Sequence, residues 1–378
     1  MIEGIFGGIA TAGLKPSGKP DILVVYFEKP LLVSAVYTEN HFKAAPVIYS
    51  KGLTDKRQTF RAFVVNSGNA NCGTGKEGLR HAEMMAERVA ANLGISAEEV
   101  LVFSTGIIGV PLPIEKVLRG IDDACANLEP LNLKRGAEAI STTDSFPKYS
   151  MSETAFGFGK GAGMIHPNMA TMLAYVFTTA KVDFETLRGI HLRVNERTFN
   201  SITVDGCTST NDSFLLISTG EDEIPLDKME RDVFTVAEDI AKQIVMDGEG
   251  ATKVGVVEVV NAESEDKARA VALKIATSLL VKTMLFGCDP NWGRVLAAAG
   301  SAFDYPINPD RVRIFIGDYL LFDRGKPTGI DLKPVEIFMR KNKEIPIVVD
   351  LGEGNASWRY YTSDLTYDYV KLNAEYTT

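Results

Sequence analysis

The 378-residue chain is poor in the groups that most often mark metal, redox or nucleotide sites. Its four cysteines, Cys72, Cys125, Cys207 and Cys288, lie far apart and form no CxxC pair, and there are only four histidines. That argues against a zinc site and for reduced, partly buried thiols in a cytosolic protein. No window of about 18 apolar residues occurs, so no transmembrane helix is expected. The first residues carry Glu3 and no basic stretch, so no signal peptide is expected and the location reads as cytoplasmic. Basic charge is also scarce: 40 Lys and Arg against 49 Asp and Glu, a net charge of −9. Neither nucleic acid nor an anionic membrane is expected as a partner. A small anionic substrate is not excluded, because a pocket can be positive on an acidic protein. No GxGxxG opens a helix after a strand. In Gly157-Phe158-Gly159-Lys160-Gly161 the Gly-Lys is followed by Gly rather than Ser or Thr, so it fails as a phosphate loop. No cofactor is expected. Repeats, charge runs and low-complexity tracts are absent.

What is present is a large apolar complement, 45% of residues, with an ordinary 24% charged. That suffices for two domains. Strands are expected at 22–27 and 32–37, joined by a turn at Glu28-Lys29-Pro30, and at 62–65, 100–103, 172–177, 213–218 and 254–260. Helical spacing runs over 77–93, 113–128, 183–198, 226–246 and, as one long helix, 262–285. From Arg311 the chain turns β-rich, at 312–316, 345–351 and 356–372. Strands adjoin one another as often as helices separate them, which favours α+β layers over a doubly wound sheet. A boundary near Asn261 would give domains 1–260 and 261–378.

The segment Lys160 to Leu173 holds the chemistry. A glycine-rich stretch leads to Ala170-Thr171, and Thr171 opens an apolar run. A strand-opening Thr is ordinary. It also fits a nucleophile. Glycines at 157, 159, 161 and 163 permit close backbone approach, and Ala170 leaves its carbonyl uncrowded. If Thr171 Oγ attacked that carbonyl, the Thr171 α-amine would be freed as an ester formed, and water would hydrolyse the ester. An α-amine titrates near about 7.7–8.0, close to where a general base works best. Ser104-Thr105-Gly106, at the end of a strand, fits either a glycine turn or an oxyanion site. Thr142-Thr143-Asp144 reads as a cap or turn, and Asp247-Gly248-Glu249-Gly250 as a helix end with an exposed carboxylate.

Taken in order, these segments resemble the ornithine acetyltransferase (glutamate N-acetyltransferase, ArgJ) family of arginine biosynthesis over nearly the whole chain. The pieces are Gly13-Leu14 with Gly18-Lys19-Pro20-Asp21, Thr38-Glu39-Asn40 through Val47, Asn66 to Asn71, Ser104-Thr105-Gly106, Thr142-Thr143-Asp144, Lys160 to Leu173, Asp247 to Lys253, Asp289 to Arg294, and Asn373 to Thr378. The resemblance implies an α+β sandwich like that of N-terminal-nucleophile enzymes and DmpA-type aminopeptidases, with a smaller C-terminal α/β domain whose tail returns to the active site. It implies self-cleavage between Ala170 and Thr171 into an α chain, 1–170, and a β chain, 171–378, that stay together as an α2β2 tetramer. It implies ping-pong transfer of acetyl from N-acetylornithine to glutamate through acetyl-Thr171. Thr105 and Gly106 would form the oxyanion hole. Thr142, Lys160, Thr171, Glu249, Asn373 and Thr378 would contact substrate. Members with and without acetyl-CoA activity share these motifs, which leaves acetyl-CoA open as a second donor. A self-processing aminopeptidase or amidase is the alternative. Two departures from the family pattern stand out: a short segment between Asp144 and Lys160, and the order Cys72-Gly73-Thr74.

Overall fold

The computed structural model describes residues 3–166 and 172–375. In chain order the elements are β1 (Ile5–Ala10), β2 (Ile22–Tyr37), α1 (Ala45–Thr54), β3 (Thr59–Asn69), α2 (Gly75–Leu93), β4 (Val100–Ile107), α3 (Ile114–Ala126), β5 (Glu129–Pro130), α4 (Leu133–Ile140), β6 (Lys148–Met151), β7 (Ala155–Lys160), β8 (Leu173–Ala180), α5 (Phe184–Arg197), β9 (Ile202–Thr203), β10 (Ser213–Asp222) and α6 (Leu226–Met246). They continue with β11 (Val254–Ala262), α7 (Glu265–Thr277), α8 (Leu279–Gly287), α9 (Trp292–Ala299), β12 (Arg313–Ile316), β13 (Tyr319–Asp323), β14 (Lys326–Pro327), α10 (Lys333–Lys341), β15 (Glu344–Asp350), β16 (Ala356–Ser363) and α11 (Tyr367–Glu375). The chain forms two compact units. The first holds the residues up to Asn200 and Thr208–Ile244; the second holds Ser201–Cys207 and continues from Val245. The second therefore starts upstream of the expected boundary at Asn261. The reason is β11, which pairs with β15 and β16.

In the first unit the strand order is β4-β3-β2-β10-β8-β7-β6, with β1 on β2 and β5 on β1. Strand side chains alternate faces, and here both faces are buried. Ile22, Val24, Ala62, Val64, Val100 and Val102 pack under α2 and α3. Leu23, Val25, Phe63, Val65, Leu101 and Phe103 join Phe158, Tyr175 and Phe177 in a second core. This is why the strands read as continuous apolar runs. Tyr175 of β8 stacks on Phe63 of β3 at 4.4 Å and meets Phe103 of β4 edge-on at 5.5 Å. Strands three steps apart in a flat sheet would be about 14 Å from one another, at about 4.8 Å per step. Ring contact therefore means that the sheet folds over itself as a sandwich around an aromatic core.

The bend lies in β2. The two expected strands are one 16-residue strand. Its exposed Glu28-Lys29-Pro30 interrupts the pairing with β3 between Tyr26 and Leu31. Proline, which has no N–H to donate, is tolerated at such a break. The glycines expected in a loop are partly in β7. A Cβ at Gly157 would sit 2.7 Å from Tyr175 O, and one at Gly159 would sit 2.9 Å from Leu173 O. They let β7 lie close against β8.

The second unit has a seven-stranded sheet, β14-β13-β12-β15-β11-β16-β9, over α7, α8 and α9. The long helix expected over 262–285 is two helices bent by 59°. Ser278 ends the first in extended backbone and caps the second by accepting from the Val281 N–H. The expected β-rich end turns into α11 after β16, because Thr366 Oγ1 accepts from the Tyr369 N–H at the helix start. Among the described residues no single helix is long and apolar enough to cross a membrane.

Candidate active site

β4 carries Thr105 and Gly106 among its last residues. Gly106 has φ +134°, and a Cβ there would lie 2.3 Å from Gly68 C. Only glycine fits, and the close approach fixes where the Gly106 peptide points. Buried amides hold this strand end. Asn66 accepts from Ser104 Oγ at 2.5 Å and donates to Asn69 O at 2.8 Å. Asn211 donates to Ser104 O and Ala70 O, each at 2.8 Å. Buried polar groups satisfied in this way keep their geometry.

Lys160, the last residue of β7, is 4% exposed. Its Nζ donates to Thr142 Oγ1 at 2.9 Å and to Thr105 Oγ1 at 3.3 Å. Three residues remote in sequence thus meet at one ammonium. Behind them lies Asp144, its side chain fully buried. It accepts from the Thr142 N–H at 2.9 Å, the Gly161 N–H at 2.8 Å and Lys148 Nζ at 2.7 Å, and lies 3.8 Å from Lys160 Nζ. Burial opposes its ionisation, but Lys160, Lys148 and the hydrogen bonds outweigh burial and hold the carboxyl well below the usual range. Nearby Lys15 donates to Pro20 O and Ala139 O, and burial lowers it to about 8. This corner can present a positive charge beside a strand-end glycine peptide. That suits a substrate carboxylate next to an acyl carbonyl.

The register sets Leu173 opposite Lys160. Thr171, two residues before Leu173, lies outside the described residues, as do Ala170 and Thr378. In the second unit Asn373 Nδ2 donates to Glu249 Oε2 at 2.9 Å. Glu249 sits on the loop after α6, and Asn373 on α11. Asp144, expected in a cap or turn, also holds two lysines, and neither Lys148 nor Asn211 carries a motif of its own. The available signal was Thr142-Thr143-Asp144 with Lys148 four residues on, a spacing that lets one carboxylate serve both the turn and a lysine.

The sequence profile of the ArgJ family matches residues 7–378. The chain belongs to the ArgJ family. An ArgJ relative, the arginine biosynthesis bifunctional protein of Aquifex aeolicus, is 57% identical over 99% of both chains. That of Thermus thermophilus is 46% identical over 100% of this chain and 98% of its own. The crystal structure of the Bacillus halodurans ArgJ protein is 36% identical with a TM-score of 0.52. It covers 55% of this chain and 100% of that one. ArgJ membership covers both units and every proposed site residue.

Proposed function

We propose that the chain transfers acetyl groups in arginine biosynthesis, from N-acetylornithine to glutamate, through acetyl-Thr171. The observation that carries this is the meeting of Lys160, Thr142 and Thr105 beside Gly106, at the point where β7 pairs with the strand that Thr171 precedes. Self-cleavage comes first. Thr171 Oγ attacks the Ala170 carbonyl, the C–N bond breaks to free the Thr171 α-amine, and water hydrolyses the ester to an Ala170 carboxylate and the Thr171 hydroxyl. That amine then takes the proton from Oγ as Thr171 attacks the acetyl carbonyl. The Gly106 N–H and Thr105 hydroxyl stabilise the oxyanion. Lys160 and Thr142 hold the substrate carboxylate. Glu249 and Asn373 hold its ammonium end, with Thr378 closing the site. Ornithine leaves, and the glutamate amine takes the acetyl group. The two pieces associate as an α2β2 assembly.

The test is ornithine release from N-acetylornithine on adding glutamate, with intact mass for the cut. Wild type splits at Ala170–Thr171 and Thr171→Ala stays whole. Hydrolysis of peptide N-termini without acetyl transfer would sink the reading in favour of the aminopeptidase. Acetyl-CoA with glutamate, assayed directly, decides whether the chain also makes N-acetylglutamate from that donor, and native mass decides the assembly.

A further inference from the structure

Lys282 of α8 has no part in the proposed machinery, yet it is 3% exposed. Lysine is almost never that deep unless it is paired with a carboxylate. Here the ammonium donates to three neutral oxygens: Thr362 Oγ1 at 2.9 Å, Ser363 Oγ at 3.3 Å and the Ser363 carbonyl. Both hydroxyls spend their own protons elsewhere, Thr362 on Ala276 O at 2.7 Å and Ser363 on Val204 O at 3.4 Å. Their lone pairs are left for the ammonium. Burial lowers Lys282 to about 8, and the charges of Asp364 and Asp205 offset this only in part. A buried charge without a close counter-ion is costly. Stability alone would favour an apolar side chain, so the ammonium is kept for what it holds in place.

It holds a strap, residues 362–366, which runs from the end of β16 to the start of α11. The strap is bonded on its other side to the loop after α6. Asp364 accepts from the Thr252 N–H at 2.8 Å and the Thr252 hydroxyl at 2.5 Å, and its own N–H donates to Lys253 O at 3.0 Å. Thr366 Oγ1 donates to Gly250 O at 2.7 Å, and a Cβ on Gly248 would lie 3.3 Å from Ser363 Cβ. From α8, Lys282 O accepts from the Leu365 N–H at 3.2 Å, and Phe286, on the same helix face as Lys282, packs against Tyr367. Glu249 lies within that loop, and Asn373 lies on the helix that grows from the strap. Asn373 Nδ2 donates to Glu249 Oε2 and to Tyr369 O. The strap therefore sets how far apart Glu249 and Asn373 stand.

We propose that Lys282 is a positioning residue for the ammonium end of the substrate: it fixes the 362–366 strap, and through it the placement of Glu249 and Asn373. This rests on Glu249 and Asn373 as the substrate contacts proposed above. Lys282 bonds to neither of them and acts only through the strap.

The experiment uses the full chain carrying Lys282→Met, which keeps an unbranched stem and removes the ammonium. KM and kcat for N-acetylornithine, with glutamate as acceptor, are measured in wild type, K282M, Glu249→Ala and the double variant. K282M should raise KM about tenfold, the order of one lost hydrogen bond to a charged group, with kcat within about twofold. Intact mass should show the same cut as wild type. In the E249A background the same substitution should change KM by less than about twofold, because the contact it positions is gone. An equal rise in both backgrounds, an unchanged KM, a fall in kcat without a rise in KM, or a folded chain left uncut overturns the proposal. If E249A alone leaves KM unchanged, the reading of Glu249 as a substrate contact fails and takes this one with it. A raised KM in E249A beside an unchanged KM in K282M strikes Lys282 alone. If K282M does not fold, Thr362→Val, which keeps the side-chain shape and removes one acceptor of the ammonium, is read by the same cycle.

Discussion

Lys160 depends on Asp144, which at zero side-chain exposure serves two backbone N–H groups and two lysines. Asp144→Asn keeps the volume and takes the negative charge away from the Lys148 ammonium, also fully buried. Breaking one partner of a buried pair costs about 3–5 kcal/mol. The folded carboxyl titrates below the unfolded one, so its contribution is complete above the ordinary carboxylate range and is lost as pH falls below it. The urea midpoint of D144N should therefore fall well below that of the parent at pH 7, and the gap should narrow at pH 3. The uncut Thr171→Ala background keeps processing out of the comparison. A gap of equal size at both pH values would contradict the ion-pair account. At this scale the sequence carried residue types rather than partners. Thr105, Thr142 and Lys160 were legible through the resemblance. Their meeting at one ammonium needs strands that only the folded sheet brings together, and nothing in the spacing of Lys282 from Thr362 announces their hydrogen bond.

Among elements, α11 is held lightly: none of its residues is buried. Its start rests on the loop after α6, where Thr366 Oγ1 donates to Gly250 O at 2.7 Å, and on α8, whose Phe286 packs edge-on to Tyr367 at 5.4 Å. Gly250 has φ +69°, and a Cβ there would lie 2.5 Å from Tyr369 N. Gly250→Ala must push α11 outward and with it Asn373, loosening the contact with Glu249. A lost hydrogen bond to a charged group is worth about 1.5–3 kcal/mol, so KM for N-acetylornithine should rise by about tenfold or more. Self-cleavage, read by intact mass, should keep its rate. Glu249→Ala should do the same. An unchanged KM in both variants would contradict the proposed contact of Glu249 and Asn373 with substrate. Elements whose signals are local were legible. α5 is capped by Asp183, and α6 runs over Leu226–Met246 as its periodicity predicts. The end of the chain differs because aromatic and β-branched residues at 356–372 serve a strand and then a helix, whose start is marked by a Thr366 hydroxyl accepting from the Tyr369 N–H.

For the whole chain, the strand order decides what a cut at Ala170–Thr171 can do. Strands β2, β3, β4, β6 and β7 come from the part before the cut, and β8 and β10 from the part after it. In space the order is β4-β3-β2, then β10-β8, then β7-β6. The later strands are therefore clasped between earlier ones, with six residue pairs joining β10 to β2 and six joining β8 to β7. The Phe63–Tyr175 stack adds a core contact between the two parts. Separating them would expose a sheet buried on both faces, at about 25 cal/mol for each Å² of apolar surface. The cut should thus change the covalent chain without changing the fold. Cleaved enzyme should run as two bands in denaturing gels and elute as one particle with both pieces in equal amounts on native gel filtration, parting only in urea. Refolding after that should recover activity poorly at low concentration, because two chains must now find each other, whereas uncut Thr171→Ala should refold to native circular dichroism at any dilution. Elution of either piece alone without denaturant would mean that this strand order does not survive the cut.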